Sequence, residues 1–490
     1  MLPIKTLLSF DKTSSVPIYL QIANGIIQQI QNGIIKPGTK LPGSRVMAAL
    51  LSVHRKTIIK AFDELEMQAW IEVRPYKGTF ISEQLPKVKA RTLLPGDSFG
   101  NKKATPLFDY YPEKDLTPAT VFSQKLGFDD GAPDVRLAPI AELAQSMSRT
   151  LRNVSAKALL SYTDPRGLER LREQLAQEFN ENRGLNITAE NVLITRGSQM
   201  GIYLATQLLL RPGDEMIVGQ TNYYVANLTF RQAGAILHTI PVDEHGICVE
   251  AIEPICQRKK IRAVYLTSHH HHPTTVTLSP ERRIQLLALA EAYRFAIIED
   301  DYDYDFHYSN NPLLPLASAD KNGAVIYLGS FSKTTAPAFR IGYLIAPAEV
   351  IETLSRIRRI IDRQGETVLE WAFADLLEKG ILQRYLKKSL KQYRIRRDYC
   401  CDLLERELGT YLQFKKPDGG MAIWAQFDPA IDLVPLAKSA KQRGLYLSDG
   451  TVHNPPGQTL NATRLGFASK QVEEMEASVQ LLRQLIDEAI

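Results

Sequence analysis

Between Val16 and Gly33 the chain sets Ile18, Ile22, Ile26 and Ile30 at a spacing of four among polar positions. That stripe predicts an amphipathic helix, ended by Gly33 and the Pro37-Gly38 pair. KLPGSRVMAALLSV predicts a second, short helix starting near Ser44, a suitable N-cap. HRKTIIKAFDELEMQAW predicts a third, with Ile58, Phe62 and Leu65 as its buried stripe. WIEVRPYKGTFIS then alternates like a small hairpin turning at PYKG. Three short helices and a hairpin make a winged helix-turn-helix, mostly α with a small β wing.

From Glu83 to about Val121 the pattern dissolves. Five prolines and scattered lysines with no sustained period predict an extended tether. From Phe122 on, apolar runs (NVLITRGS, DEMIVGQ, RAVYLTS, FAIIEDD, AVIYLGS) alternate with helical stretches such as GLERLREQLAQEFN and PERRIQLLALAEAYR. This predicts an α/β domain with a mainly parallel sheet, whose ligands bind at the strand carboxyl ends. The organisation expected is 1–82 DNA-binding domain, 83–121 linker and 122–490 α/β domain.

Charge sharpens the first part. Residues 1–91 hold nine lysines and four arginines against six acidic residues, a net +7, while the whole chain carries only +5. A basic front end suits a polyanion. At the third helix's N-terminus Arg55, Lys56 and Thr57 would meet base edges and phosphates in the major groove of double-stranded DNA. Arg45 would reach the backbone, and the wing's Arg74, Lys77 and Gly78 the minor groove or phosphates. Cys248, Cys256, Cys400 and Cys401 form no CxxC pair, and no apolar stretch is long enough to span a bilayer. A cytoplasmic protein with no membrane attachment is expected.

Candidate chemistry gathers at the predicted strand ends. Ser330, Ser332 and Lys333 follow AVIYLGS, with Arg340 seven residues beyond the lysine. A lysine there is a candidate Schiff-base nucleophile, and hydroxyls with an arginine suit a phosphate. Asp300 and Tyr302 end FAIIEDD, and Gly197, Ser198 and Gln199 open a helix whose N–H groups offer an anion seat. Lysine, carboxylate, tyrosine and phosphate cradle together describe a site for pyridoxal 5'-phosphate, with the carboxylate against the pyridine nitrogen. Four consecutive histidines, His269 to His272, follow RAVYLTS. If that strand continued, two would point to each face, too few for zinc, and no metal site is expected.

The N-terminal motifs, with PIYLQI, PGTKLPGSR and GTFI, resemble the DNA-binding domain of the GntR family of bacterial transcription regulators. Residues 122–490 look like a fold-type I aminotransferase, and the whole chain resembles the MocR subfamily, in which such a domain senses an effector. The resemblance makes Lys333 the lysine of the internal aldimine, Asp300 the pyridine-nitrogen partner and Tyr302 the ring-hydroxyl partner. It gives Ser198, Gln199, Ser330, Ser332 and Arg340 to the phosphate, Tyr223 (or Tyr224) to ring stacking and Arg464 to an effector carboxylate. Tyr162 resembles a tyrosine that crosses a head-to-tail homodimer into the partner's phosphate site. His272 stands where relatives carry an asparagine facing the ring hydroxyl, so the histidine run looks like a loop of the cofactor pocket, and Thr275 stands where they carry a glycine. The function implied is a transcription regulator sensing pyridoxal phosphate, an amino acid or an amine. The alternative is an active aminotransferase with an accessory DNA-binding domain.

Overall fold

The isoleucine stripe folds as expected. In this computed structural model, which describes residues 3–14, 16–86, 109, 126–152, 158–308 and 313–489, α2 (Ile18–Gln31) buries Ile22, Ile26 and Ile30. A short α1 (Ile4–Leu7), which the pattern does not announce, precedes it. α3 spans Ser44–Leu51 and α4 Arg55–Met67. Met47, Leu51, Ile58, Phe62 and Leu65 close one apolar core with Trp70, Ile71 and Ile81.

Ser44 is not the cap of α3. It is the first helical residue, after Gly43 in the cap position, and its hydroxyl instead accepts a hydrogen bond from Arg55 Nε at 3.3 Å. The capping side chain lies one helix later: His54 Nδ1 accepts from the Lys56 N–H. β1 (Ile71–Arg74) and β2 (Gly78–Ile81) form the antiparallel wing, with Arg74 opposite Gly78. Gly78 has φ +108, a conformation that favours glycine at this turn.

The chain divides into two units, Met1–Glu113 and Lys114–Ile490. Apart from residues 83–86 and 109, the predicted linker lies outside the described residues, as does the start of the α/β domain at Phe122.

In the second unit the apolar runs become strands of one sheet. They are β3 (Val192–Thr195), β4 (Glu215–Gly219), β5 (Ile236–Ile240), β6 (Ile261–Leu266), β7 (Ala296–Asp300), β8 (Val325–Ser330) and β9 (Gly342–Ile345). The order across the sheet is β3-β9-β8-β7-β6-β4-β5. Only β9 runs against its neighbours. Helices cover both faces, so every strand except the edge strand β5 buries nearly all its side chains, which is why those strands read as continuous apolar runs rather than alternating ones. Register sets Thr195, Gly342 and Ser330 side by side at one rim, and Asp300 ends the neighbouring β7.

A second body follows the long helix Ile381–Leu408. β10 (Leu412–Phe414), β11 (Ala422–Phe427) and β12 (Ala462–Gly466) form an antiparallel sheet backed by the helix Val472–Asp487. Leu404, Ile423, Leu465, Phe467 and Leu482 are its core. β12 carries Arg464 to the rim. Among the described residues, no helix is long and apolar enough to cross a membrane.

Candidate functional site

Several of the candidate residues stand at a strand end or in the loop after it. β8 ends at Ser330, whose hydroxyl donates to Ser332 Oγ at 2.8 Å. Arg340, exposed and in the left-handed region at φ +53, turns back to donate to the Arg196 carbonyl at 2.7 Å and reaches Ser332 Oγ at 3.4 Å. The helix α5 (Ser198–Leu209) begins here, so its first N–H groups open toward the arginine and hydroxyls.

Gly197, in the cap position at φ +76, makes that approach possible. A Cβ there would stand 2.6 Å from Arg340 Nη2 and 3.0 Å from Cζ. Gly197→Ala is therefore expected to cost about 1–3 kcal/mol of stability from the backbone alone and to weaken phosphate binding by displacing Arg340. Denaturant unfolding and a titration with inorganic phosphate check both. Gln199 leans toward the following helix α6 (Tyr224–Gln232), donating to Thr229 Oγ1 at 2.9 Å, and leaves its own Oε1 buried without a partner.

Asp300 is buried, and Tyr265 OH donates to its Oδ2 at 3.0 Å. Its Oδ1 has no partner. Burial pushes the carboxyl up to about 7, a rise that the Tyr265 hydrogen bond opposes. A buried carboxylate with one oxygen unsatisfied, at a strand end, suits a protonated ring nitrogen.

Lys333 Nζ donates to the Gly131 carbonyl and lies 5.9 Å from the Tyr302 ring. Burial lowers its ammonium, although Asp130 pulls the other way. Tyr302 OH donates to the His270 carbonyl at 3.2 Å.

Tyr223 meets the His272 ring edge-on at 5.4 Å, whereas Tyr224 stands 6.3 Å from Tyr223. His272 also lies 6.5 Å from the Tyr302 ring. Its Nε2 is 3.1 Å from Asp130 Oδ2, and its Nδ1 is buried and unsatisfied. Desolvation lowers its pKa in spite of Asp130, which favours a neutral ring. Arg464, almost wholly buried, donates from Nη1 to the Pro273 carbonyl at 3.0 Å and touches Asp130 with Nε.

Contacts join the sequence-predicted residues in two groups, Ser330, Ser332 and Arg340 at the end of β8, and Lys333, Tyr302, His272, Tyr223 and Arg464 around Asp130, while Ser198 and Gln199 open α5 and Asp300 ends β7. Tyr162 lies outside both groups in this chain, exposed and stacked on the Arg363 guanidinium at 3.9 Å. Asp130 and His453, which also line the pocket, were not anticipated. Asp130 sits in an irregular loop, FDDGAPD, where no periodicity marks it.

The histidine run is a loop and does not continue the strand before it. β6 stops at Leu266, and the run forms turns leading into a cis His272–Pro273 bond, so alternation between faces does not apply. All four rings are buried. His269 pairs with Asp301 (3.0 Å), His270 with Asp303 (2.9 Å) and His271 with the Thr274 hydroxyl (3.0 Å). Thr275 keeps the left-handed φ of a glycine turn at +64, with its N–H donating to the His271 carbonyl.

Among the described residues, His269, Glu299 and Asp301 bring ligand-type atoms within 4.8 Å of one another. Those atoms are already engaged. His269 Nε2 meets the Leu313 carbonyl, Glu299 accepts from Leu316 N and Ala317 N, and Asp301 accepts from Tyr327 OH. The cluster reads as a support under the pocket floor.

In the first unit, Arg45, Arg55, Lys56 and Lys77 are exposed and Thr57 is half-buried. Arg74 is engaged within the wing: it donates to Glu72 and Glu83 and lies over the Phe80 ring at 4.9 Å.

A mainly parallel seven-stranded sheet with helices on both faces, followed by a smaller antiparallel body, is the fold of the fold-type I aminotransferases. Residues 123–482 match the family Aminotransferase class I and II, and residues 18–81 match Bacterial regulatory proteins, gntR family. The chain belongs to the aminotransferase class I and II family and, with its gntR-family domain, has the architecture of the MocR subfamily. It is 27% identical to a probable rhizopine catabolism regulatory protein, MocR, of Rhizobium meliloti, over 97% of this chain and 95% of that one. It is 29% identical to the HTH-type transcriptional regulator TauR of Rhodobacter capsulatus, over 91% of each chain. An archaeal alanine:glyoxylate aminotransferase superposes with a TM-score of 0.70 at 29% identity, covering 74% of this chain and 91% of the other.

Proposed function

We propose that the protein is a cytoplasmic transcription regulator whose aminotransferase-like domain senses pyridoxal 5'-phosphate, or an amino acid or amine bound with it. The carrying observation is the buried, unsatisfied Asp300 oxygen at the end of β7, beside the strand β8 that leads to Lys333, in a chain with a DNA-binding domain. Bound there, pyridoxal phosphate supplies an electrophilic aldehyde on an electron-withdrawing ring.

The chain's own residues have defined tasks in this reading. Lys333 presents the amine to the aldehyde. Asp300 holds a proton between its free oxygen and the ring nitrogen. The α5 N–H groups, Ser198, Gln199, Ser330, Ser332 and Arg340 hold the phosphate. Tyr223 covers a ring face, while Tyr302 and His272 face the ring hydroxyl. Arg464 anchors an effector carboxylate. In a head-to-tail dimer, Tyr162 of a second copy would complete the phosphate site.

Arg45, Arg55, Lys56, Thr57, Lys77 and the Gly78 turn form the DNA-facing surface. The guanidinium of Arg74 braces the wing until DNA competes with Glu72 and Glu83 for it. A ligand alters transcription only if it binds two arrangements of the heads unequally. Footprints on the promoter region of its own gene, with and without pyridoxal phosphate, test the reading. Sustained turnover of an amino acid with an oxoacid, and no specific DNA binding, would overturn it in favour of an enzyme. Arg55→Ala should weaken specific binding by about 1–3 kcal/mol if the side chain reads a base, measured by anisotropy against a scrambled duplex.

A further inference from the structure

Arg464 has almost no exposure to solvent (3%), yet the side chain opposite it, Asp130, is half exposed (53%). Asp130 bridges two groups of the pocket, Arg464 Nε through Oδ1 and His272 Nε2 through Oδ2. Lys333 bonds the carbonyl of the next residue, Gly131.

The backbone around Asp130 is pinned independently of its side chain. Asp129 Oδ1 accepts from Gly131 N (2.9 Å) and Ala132 N (2.6 Å), and Ser469 donates to its Oδ2. Gly466 N donates to the Asp129 carbonyl at 2.8 Å. Side-chain rotation alone can therefore carry the Asp130 carboxylate from Arg464 into water.

We propose that Asp130 is a resident carboxylate on Arg464, seated where an effector's carboxylate would bind, so that a carboxylate effector enters only by displacing it. The proposal rests on the reading of Arg464 as the effector anchor. A buried guanidinium without an anion is strongly unfavourable, so the free protein needs such an occupant. The occupant is ionised: although desolvation opposes it, the charges of Arg464 and Lys333 and a hydrogen bond from His272 hold the Asp130 carboxyl well below the usual carboxylate range. Because the occupied form does not bind, the apparent affinity for any carboxylate falls by the fraction of molecules in which Asp130 is already displaced. Asp130 thereby sets which effectors are sensed, favouring those with contacts beyond one carboxylate.

The test uses the full chain, Asp130→Asn and propionate, which lacks an amine, with sodium chloride at matched ionic strength as control. Asp130→Asn should bind propionate at least about tenfold more tightly than the parent by calorimetry. It should also unfold at a lower temperature than the parent without propionate, and regain that loss when propionate is added. Adding Arg464→Ala should remove the gain. Equal or weaker binding by Asp130→Asn, or a gain that survives Arg464→Ala, would overturn the proposal. Asp130→Ser replaces the asparagine variant if the latter does not fold.

Pyridoxal phosphate uptake is titrated separately. Failed uptake with the propionate gain intact sinks the cofactor-sensing reading and leaves Asp130's role standing. Normal uptake without the gain does the reverse.

Discussion

Lys333→Ala is expected to abolish the visible absorbance that a lysine-linked pyridoxal cofactor gives, and to lower cofactor retention by at least about tenfold, or about 1.4 kcal/mol. Burial lowers the Lys333 ammonium, so a larger share of the amine is unprotonated near neutral pH than in water. Its resting partner is only a carbonyl, that of Gly131, which the amine can leave without breaking an ion pair. The cradle of α5, Ser330, Ser332 and Arg340 does not depend on Lys333, so the variant should still take up the phosphate, reversibly. Dialysis followed by absorbance separates the two modes. If the DNA footprint of Lys333→Ala still responds fully to the effector, covalent capture is not the signal, and noncovalent occupation of the cradle must be.

What the sequence made legible follows from how local each signal is. Strands buried on both faces read as unbroken apolar runs, so β3, β4, β6, β7 and β8 were visible, and with them the strand ends that hold Asp300 and Lys333. The reversal of β9 was not, since strand direction is set by long-range pairing with β3 and β8. His54 as a cap and Ser44 as a hydrogen-bond partner of Arg55 depend on tertiary placement, and residue preference at Ser44 pointed elsewhere. The histidine run reads as a loop through its register with relatives, and β6 does end before it, so the count of two rings per face, which needs a continuing strand, does not apply. Asp130 was out of reach for a different reason. Its role comes from Arg464, far along the chain, whose burial only the folded β12 sheet creates.

Asp300→Asn should have two effects of opposite sign. In the cofactor-free protein, the buried carboxyl titrates near 7 rather than near its ordinary 3.8. Between those values the unfolded chain has released its proton while the folded chain keeps it, so stability falls as pH rises through this window. Roughly three pH units at ~1.4 kcal/mol each make the loss on the order of 4 kcal/mol at most. An asparagine does not titrate, so the variant should lose this part of the pH dependence and be the more stable form at pH 8. Tyr265 OH can still donate to the amide oxygen, which preserves the packing. With pyridoxal phosphate the sign reverses. A protonated ring nitrogen stabilises the Asp300 anion, whereas an amide supplies no counter-charge, so cofactor affinity should fall by about tenfold or more, each tenfold being about 1.4 kcal/mol. Urea unfolding at pH 5 and pH 8, with and without cofactor, measures all four corners. A parent whose cofactor-free stability is flat across that range would remove the basis for an elevated Asp300. A variant that binds cofactor as well as the parent would show that Asp300 does not face the ring nitrogen.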